Sequence, residues 1–445
     1  MEFVADLHLH SKYSRAVSRE MNLLNMALWG KKKGLNILST GDWTHPLWFR
    51  EITTTLEEET KGLFVLKNGT KETKFILSVE IASIYSQDGK VHRIHNLVFS
   101  PNLETCEKIQ KELVKKGCNL SSDGRPMIGL SSRNLMELIY SIDKDVFLIP
   151  CHAWTPWFSL YGSNSGFDSI KECFQDFADK IYGIETGLSS DPFMNWQIKE
   201  LEDKSIVSFS DAHSLPKMGR EATVFVSKDQ TSDTKITYYD IIAAIKQEPD
   251  AKLKIGYTIE FYPEEGKYHY NGHRNCNFVQ DPAQTKAKGT ICPVCGKPLT
   301  IGVMHRVEEL AKGEFSKEES KLNKNQVKWI LDPSKKHPPF VKLVPLMEIL
   351  AESLSSTVSS LKVQNVYDLL CQKFGSEINV LLKTETEEIR KEAGERVAEG
   401  IEKVRTGKIV ILPGFDGQYG IVKIWEDKEI SKKQEEVVNQ LGIDF

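Results

Sequence analysis

Histidines and carboxylates in the first half of the chain follow directly after short apolar runs that resemble β-strands. The residues at these positions are His8, His10, Asp42, Glu80, His152, Glu185, Asp211 and His213. The carboxyl ends of strands in an α/β barrel converge on one rim, so residues far apart in the chain can meet in one pocket. Mixed imidazole and carboxylate ligands are typical of sites for Zn²⁺, Mn²⁺ or Fe²⁺. The pattern therefore predicts a metal site.

The spacing of these residues indicates which of them act together. Side chains two positions apart on a strand point the same way, which groups His8 with His10 and Asp211 with His213. A carboxylate such as Glu80 can bridge two ions, and paired ions suit phosphoester hydrolysis because one activates water while both hold phosphate oxygens. We interpret Asp211, His152 and Glu80 as catalytic. Cys151 is interpreted as a buried thiol, since neighbours on a strand face opposite sides.

The elements around these residues alternate between strand-like and helix-like periods, which favours an α/β fold. The chain has 445 residues, enough for two or three domains. Composition changes near residue 262, where Pro, Gly, His and Cys cluster, and helical patterns follow. We expect domains at 1–262, 263–305 and 306–445, the last mainly helical and ending in a strand, turn and strand around residues 414–420. The charged run at 312–328 is expected to be a solvated helix or linker.

Four residues around this composition change have the spacing of a structural zinc site. His273 and Cys276 form an HxxC pair, and Cys292 and Cys295 form a CxxC pair followed by Gly296. Tight turns that present two ligands each are typical of closed zinc sites, which organise a fold rather than perform chemistry. The alternative is that Cys292 and Cys295 are two free cysteines in a turn.

Overall composition leaves several classes of function open. The formal net charge is −4, so any contact with nucleic acid must use local basic surfaces. The sequence contains no apolar stretch of the length that a membrane helix needs and no signal-peptide pattern at its start, so a cytoplasmic protein without membrane contact is expected. The other cysteines are isolated and predict reduced thiols rather than disulfides.

The motifs DLHLHS, GD, VE, HNLV, PCH and SDAH resemble those of the polymerase and histidinol phosphatase (PHP) superfamily over residues 1 to 225. This resemblance implies a distorted seven-stranded β/α barrel. It implies one metal held by His8, His10, Glu80 and Asp211 and a second held by Glu80, His95 and His152. His213 matches a position that belongs to a third metal, for which Asp42, His45 or His92 are further candidate ligands.

Two departures from the superfamily pattern bear on that third metal. Arg15 stands where an aspartate is frequent, and Trp43 stands where the pattern has a histidine. We therefore expect two metals, or three if the remaining candidates complete the site, each being Zn²⁺, Mn²⁺, Mg²⁺ or Fe²⁺. Arg15 and Lys12 could instead grip a phosphate. Solvated loop charges are the alternative for both.

Over nearly the whole chain the order of barrel, zinc module, HPPFVKLVPLMEIL and LPGFDGQYG resembles the endonuclease Q family. The resemblance implies a metal-dependent endonuclease that nicks DNA on the 5′ side of uracil, hypoxanthine, xanthine or an abasic site. It implies damaged DNA as partner, a base taken out of the stack, and a monomer. A sliding clamp is a further candidate partner.

Aromatic and basic residues near the expected site could contact DNA. The candidates are Trp43, Trp154, Trp157 and Tyr161 for stacking, and Arg220, Lys217, His305 and Arg306 for phosphates. Aromatic anchors packed on the barrel are the alternative for the first group. Two competing functions also stay open: a PHP phosphatase acting on a small phosphomonoester, for which the residues after the barrel have little use, and a non-catalytic DNA-binding accessory protein.

Overall fold

The computed structural model describes residues 1–69, 71–228, 235–311 and 318–426. The part before residue 262 alternates strands and helices, as the sequence predicts. Its strands are β1 (Glu2–Asp6), β2 (Ile37–Ser39), β3 (Leu56–Thr60), β4 (Leu63–Leu66), β5 (Lys74–Gln87), β6 (Lys90–Ser100), β7 (Met127–Ile128), β8 (Phe147–Pro150), β9 (Gly183–Glu185), β10 (Ser205–Val207), β11 (Ala222–Ser227) and β12 (Leu253–Glu260). Its helices are α1 (Leu23–Lys33), α2 (Pro46–Thr55), α3 (Leu103–Lys115), α4 (Ser132–Ile142), α5 (Ile170–Phe174), α6 (Pro192–Trp196) and α7 (Tyr238–Ile245).

The expected zinc module and the residues after it contribute the remaining elements. The module contains β13 (Asn271–His273), β14 (Phe278–Gln280) and α8 (Pro282–Lys288), and α9 (Val303–Ala311) crosses its expected end at residue 305. After it come β15 (Glu319–Leu322), β16 (Lys328–Leu331), β17 (Phe340–Lys342), α10 (Leu346–Ser353), α11 (Leu361–Phe374), α12 (Glu377–Leu382), α13 (Thr386–Ala393), α14 (Glu395–Thr406), β18 (Val410–Leu412) and β19 (Ile421–Lys423). Short 3₁₀ helices lie at Gln175–Lys180, Lys199–Leu201, Leu215–Lys217, Pro263–Glu265 and Arg274–Cys276.

A 13-stranded mixed sheet forms the centre of the molecule, which confirms the α/β class. Its path runs β15-β16-β17-β12-β11-β1-β2-β5-β4-β3, and β6 pairs with both β5 and β8. β1, β2 and β5 are parallel, so their carboxyl ends lie at the same edge. Strands β9 and β10 form a separate parallel pair. The edge to which β1, β2 and β5 point is where the candidate ligands of the first half of the chain gather.

Both faces of the central sheet are covered by apolar side chains, because alternate residues of each strand point to opposite sides. Val4 packs in one buried cluster with the helices, and Ala5 packs in another with Ile37 and Phe147. Buried strands of this kind hold their carboxyl ends rigidly. No helix in the described part of the chain is long and apolar enough to cross a membrane.

The strands after the zinc module correct two expectations. β17 pairs in parallel with β12, and β15 and β16 extend the sheet from there, so the described part of the region after residue 306 contributes three strands to the central sheet besides its helices. β15 lies within the charged run 312–328, where its four residues pair in register with β16 instead of forming a helix or linker. Residues 312–317 of that run lie outside the described residues. The central sheet thus has more strands than the barrel that the resemblance implies.

Buried polar contacts join the C-terminal helices to the first part of the chain. Lys33, at the end of α1, is 2% exposed, and its Nζ lies 2.7 Å from Oε2 of Glu377. Helix α1 ends at Gly34 with a φ of 88°, a left-handed conformation that glycine adopts without strain. A Cβ at Gly34 would lie 2.5 Å from the Ser376 side chain. The close approach of α1 to Ser376, the residue before α12, therefore depends on glycine at position 34.

Candidate active site

The ends of β1 and β10 place the first group of ligands. Leu9, between His8 and His10, forms a bridge with Ala212, which brings Asp211 beside the two histidines. Asp6 fixes this arrangement by accepting hydrogen bonds from the backbone N–H of Ser210 at 2.9 Å and of Gly219 at 2.8 Å. Burial raises the pKa of Asp6 to about 6, although its hydrogen bonds with Ser210 and Gly219 oppose the shift.

Four side chains form the first cluster. Ligand atoms of His8, His10, Glu80 and Asp211 all lie within 4.8 Å of one another. Nε2 of His10 lies 2.9 Å from Oδ1 of Asp211 and 3.3 Å from Oε2 of Glu80. Nε2 of His8 lies 3.7 Å from the same Glu80 oxygen. The imidazole nitrogens and carboxylate oxygens therefore converge on one point.

A second cluster shares Glu80 with the first. Glu80, His95 and His152 also have ligand atoms within 4.8 Å. Here the other carboxylate oxygen, Oε1, lies 3.2 Å from Nε2 of His152 and contacts Nδ1 of His95. Burial would raise the pKa of Glu80, but positive charge at His95 and Arg125 holds it well below its usual range. Glu80 is thus an ionised carboxylate with one oxygen facing each cluster.

The donor set fits two divalent metal ions bridged by Glu80. Nε2 of His8 is buried and has no hydrogen-bond partner among the described residues, although its ring is held by contacts at the other nitrogen. A buried nitrogen without a partner costs free energy unless it binds a ligand. Because imidazole and carboxylate donors suit Zn²⁺, Mn²⁺ and Fe²⁺, an ion would supply that partner.

Two carboxylates orient His8 and His10 by contacting the Nδ1 atom of each ring. Oε1 of Glu185 lies 2.9 Å from Nδ1 of His8, and Oδ1 of Asp42 lies 3.2 Å from Nδ1 of His10. A carboxylate in this position fixes the ring and its tautomer and makes the other nitrogen a better ligand. Oδ2 of Asp42 also accepts hydrogen bonds from the N–H and hydroxyl of Ser11 and the hydroxyl of Ser14. Asp42 therefore supports His10, and its role at a third metal stays a prediction.

The other candidates for a third metal lie apart. His213 packs its ring against that of His10 at 4.8 Å, and its Nδ1 donates to the carbonyl of Asp211 at 2.9 Å. His45 contacts the Ser121 carbonyl and His92 stacks on Phe167. Within the described ranges, His213 joins no group of three ligands. The structure thus brings together two clusters and leaves the third-metal role of His213 a prediction.

Three residues of the site have a left-handed backbone that side chains rarely adopt. Asp42, His152 and Asp211 have φ values of 50°, 27° and 47°. These residues lie in the loops after β2, β8 and β10. Such conformations persist where the surrounding structure enforces them, and they cluster at functional sites.

Arg125 is a site residue that the sequence patterns did not indicate. Its Nη1 lies 3.2 Å from Oε2 of Glu80, and its side chain is 25% exposed. The guanidinium has further N–H donors for a ligand. The motif DGRP at residues 123–126 follows no apolar strand, so its spacing gave no signal. The long strand β5 places Glu80 next to the loop that contains Arg125.

Burial contradicts three of the predicted base contacts. Trp43 is completely buried, and Trp154 is 1% exposed with its indole N–H donated to Asn195. Tyr161 is also buried, where it donates to Glu200. These rings fill the space beneath the loops, because large aromatics after a strand bury more area by packing on the sheet than by facing solvent. Trp157 is 37% exposed.

The predicted phosphate contacts differ in their exposure and in the protein groups that they contact. Arg15 is 68% exposed beside Asp123, and Lys12 pairs with Glu51 at 2.9 Å at the surface. Arg220 donates two hydrogen bonds to the carbonyl of Ser210, so it steadies the loop of Asp211 instead of presenting a free fork.

The remaining candidates are held by protein groups. Arg306 donates to the carbonyls of Tyr161 and Phe167, which corrects its predicted phosphate role because its donors anchor helix α9. His305 lies 3.4 Å from Glu309, and Lys217 pairs with Glu348 at 2.6 Å.

The four expected zinc ligands meet in one place. His273, Cys276, Cys292 and Cys295 have ligand atoms within 4.8 Å of one another. Nδ1 of His273 lies 3.2 Å from Sγ of Cys276 and 3.3 Å from Sγ of Cys295. Gly296 has a φ of 72° and donates its N–H to the carbonyl of Cys292, which forms the tight turn after the CxxC pair. Three sulfurs and one imidazole suit tetrahedral Zn²⁺.

Known proteins resemble this chain in sequence and structure. The crystal structure of the lesion-specific endonuclease PfuEndoQ from Pyrococcus furiosus superposes with a TM-score of 0.79 and 32% identity, covering 100% of both chains. The chain belongs to the endonuclease Q family. An endonuclease Q complex with a 27-mer duplex carrying an abasic lesion at the active site superposes with a TM-score of 0.78 and 32% identity, covering 97% of this chain and 98% of that one.

Two further relatives are similar to this chain in sequence. The MJ0043 protein of Methanocaldococcus jannaschii is 32% identical over 288 residues, which are 64% of this chain and 33% of the relative. The chain thus spans about a third of that relative's length. YqxK of Bacillus subtilis is 28% identical over 336 residues, covering 74% of each. A family model described as the MJ0043 C-terminal domain matches residues 345–408, which include helices α10 to α14.

Proposed function

We propose that the chain is a metal-dependent DNA repair endonuclease that cuts a strand on the 5′ side of a damaged nucleotide. The observation that carries this proposal is the pair of clusters that share Glu80, in a fold similar over its whole length to that of a lesion-specific endonuclease. Abasic sites and deaminated bases (uracil, hypoxanthine and xanthine) are the proposed lesions. The products are a 3′-hydroxyl and a 5′-phosphate.

His8, His10, Glu80 and Asp211 would hold one ion, and Glu80, His95 and His152 a second. Two ions in such a site lower the pKa of water and neutralise phosphate oxygens in an in-line displacement. Glu185 and Asp42 keep the histidine rings in position before substrate arrives. Zinc at His273, Cys276, Cys292 and Cys295 would organise the second module.

Arg125 binds the scissile phosphate in this mechanism. Its contact with Glu80 fixes the guanidinium at the rim of the two clusters, and its remaining N–H groups donate to a non-bridging oxygen. A fixed cation at this position stabilises the charge that develops as the phosphodiester breaks. Arg15, exposed on the loop after His10, contributes to the affinity for the DNA backbone.

The proposal assigns catalysis to residues 1–262, zinc binding to 263–305 and DNA clamping to 306–445. Within the first part, the strands that carry the ligands form the distorted seven-stranded barrel, and the later strands extend its edge. A monomer that acts in the cytoplasm is proposed, with a sliding clamp as a candidate partner.

Labelled duplexes test the function. One carries a single abasic site, others carry uracil, hypoxanthine or xanthine, and an undamaged duplex and a small phosphomonoester serve as controls, each with Mn²⁺ or Mg²⁺. The proposal predicts a chelator-sensitive nick only in damaged duplexes. Hydrolysis of the phosphomonoester alone would make the protein a phosphatase, and binding of damaged DNA without cleavage would make it an accessory protein.

A further inference from the structure

Three exposed or half-buried aromatic residues come from distant parts of the chain: Trp157 and Tyr268 contact each other, and Tyr419 lies against Lys267, the residue before Tyr268. Trp157 follows β8, Tyr268 precedes β13, and Tyr419 lies in the hairpin of β18 and β19. The rings of Trp157 and Tyr268 meet edge to face at 5.4 Å. Trp157 is 37% exposed and Tyr419 is 69% exposed. We call Trp157, Tyr268 and Tyr419 the aromatic surface.

The loop of Trp157 connects the aromatic surface to the second cluster. Thr155 contacts Nδ1 of His152 at 3.4 Å and donates its hydroxyl to the carbonyl of Trp157 at 2.8 Å. On the other side, Phe158 packs its ring 4.8 Å from that of His95. Trp157 is therefore held between two residues that each touch a candidate metal ligand.

Backbone hydrogen bonds fix the other two rings relative to each other. Gly417 donates its N–H to the carbonyl of Lys267 at 2.9 Å, and Gly420 donates to that of Glu265 at 3.0 Å. The N–H of Val303 donates to the carbonyl of Tyr268 at 2.7 Å. These bonds join the hairpin and helix α9 to the segment 265–268. The aromatic surface is thus preorganised rather than carried on separate loops.

One cation lies next to a ring of the aromatic surface, and a second lies next to the neighbouring Phe158. Nζ of Lys267 lies 4.5 Å from the centre of the Tyr419 ring, and the guanidinium of Arg93 lies 5.6 Å from that of Phe158. Exposed aromatic faces with adjacent positive charge are the combination that binds bases and phosphates of unpaired nucleic acid strands. An apolar peptide would have no use for the cations.

We propose that the aromatic surface stacks against unpaired nucleobases beside the lesion, with Lys267 bound to the adjoining phosphate. This inference rests on the proposed endonuclease function and deepens it. The sequence offered Trp43, Trp154 and Tyr161 as well, but these rings are buried. Trp157, together with two rings that the sequence did not indicate, takes that role. The strand is thereby held open next to the metal clusters.

Fluorescence of 2-aminopurine tests the inference. The base is placed next to an abasic site in a duplex, and binding is measured in the Asp211→Asn background, which prevents cleavage. Stacking on the aromatic surface quenches the fluorescence. Trp157→Ala and Tyr419→Ala should each lose this quenching and raise the Kd by about 5- to 150-fold. Tyr419→Phe keeps the ring and should behave as the parent. Tyr239→Ala is the matched control, since Tyr239 is 43% exposed and contacts Asp145.

The two proposals fail separately. If wild-type protein cleaves the damaged duplex and all four variants quench the 2-aminopurine fluorescence equally, the proposed nuclease function is supported and the stacking inference is overturned. Loss of quenching in Tyr239→Ala as well would also overturn it. If wild-type protein neither binds nor cleaves damaged DNA, the function itself is wrong. Circular dichroism and thermal melting of each variant separate loss of stacking from loss of fold.

Discussion

Nε2 of His10 lies 2.9 Å from Oδ1 of Asp211, although the two residues are 201 positions apart in the chain. The bridge between Leu9 and Ala212 produces this approach, and Asp6 secures it by binding the backbone before and after Asp211. The position of the first cluster therefore depends on how two strand ends are joined, and it is rigid before any substrate binds.

Replacing Asp211 removes one ligand of the first cluster while keeping the shape of the side chain. Asp211→Asn should abolish cleavage of an abasic-site duplex and leave the Kd for that duplex within about twofold, because phosphate contacts supply most of the affinity. Single-turnover cleavage and fluorescence anisotropy measure the two quantities. Asp176→Asn, at an exposed ion pair with Arg133, is the control. Full activity of both Asp211→Ala and His152→Ala would refute the assignment.

Removing the negative charge of Glu185, which contacts Nδ1 of His8, should weaken metal binding without removing a ligand. Glu185→Gln is expected to lower the affinity for the activating metal by about 10- to 100-fold, so that excess Mn²⁺ restores activity. Titration of metal-stripped protein measures this effect. Glu200→Gln changes a carboxylate that binds the Tyr161 hydroxyl and no histidine, and its titration should match that of the wild type. An unchanged metal affinity in Glu185→Gln would contradict the role given to Glu185.

Arg125 and Arg15 should differ in the kinetic constant that they affect. Arg125→Ala should lower kcat by about 100- to 1,000-fold, since the lost cation acts on the transition state. Arg125→Lys should recover only part of this loss, because an ammonium group lacks the guanidinium fork. Arg15→Ala should raise KM with kcat nearly unchanged and reduce the salt dependence of binding. Equal effects of both alanine variants on KM alone would refute the placement of Arg125 at the phosphate.

Loss of a zinc ligand should affect structure rather than chemistry. Cys292→Ser should lower the zinc content by one equivalent and expose residues 271–300 and the hairpin of β18 and β19 to protease. The hairpin is included because Asp416 accepts hydrogen bonds from the Arg274 N–H and the Thr300 hydroxyl. Cys118→Ser, which alters a thiol outside the zinc cluster, is the control. Unchanged zinc content would show that the cluster holds no zinc.

Glu260 should make stability fall at alkaline pH. Burial raises its pKa to about 8 from 4.5, and its Oε2 has no hydrogen-bond partner in the described part of the chain. The folded state therefore keeps a proton that the unfolded chain releases, so the stability that Glu260 contributes is fully present below pH 4.5 and is lost as the pH rises through about 8. Glu260→Gln stays neutral and should raise the Tm at pH 8.5 but barely change it at pH 5. A Tm of Glu260→Gln below that of the wild type at pH 8.5 would contradict this prediction.

The sequence predicted the strand ends well because each apolar run is followed at once by its polar residue. His8 and His10 after β1, and His152 after β8, stand where strand ends place them. The hairpin around residues 414–420 is also confirmed. These features depend on local patterns of two to eight residues, and a local pattern is visible without knowledge of the fold.

Features that depend on distant contacts were not predictable in the same way. Nothing in the sequence near Trp43 distinguishes a buried ring from an exposed one, and Asp42 faces His10 only because β1 and β2 are neighbours. Arg125 reaches Glu80 from a loop with no strand before it. β17 joins the central sheet through pairing with β12, which lies far away in the chain. Tertiary packing decides each of these positions.

Mapping the cut tests the central claim most directly. A duplex with one abasic site, labelled at either end, is incubated with wild-type protein and Mn²⁺, and the product ends are identified by ligation and by phosphatase treatment. The account predicts a single nick at the phosphodiester 5′ of the lesion, with a 3′-hydroxyl and a 5′-phosphate, abolished by chelator and by Asp211→Asn. A cut that persists in Asp211→Asn, or that occurs equally in undamaged DNA, would contradict it.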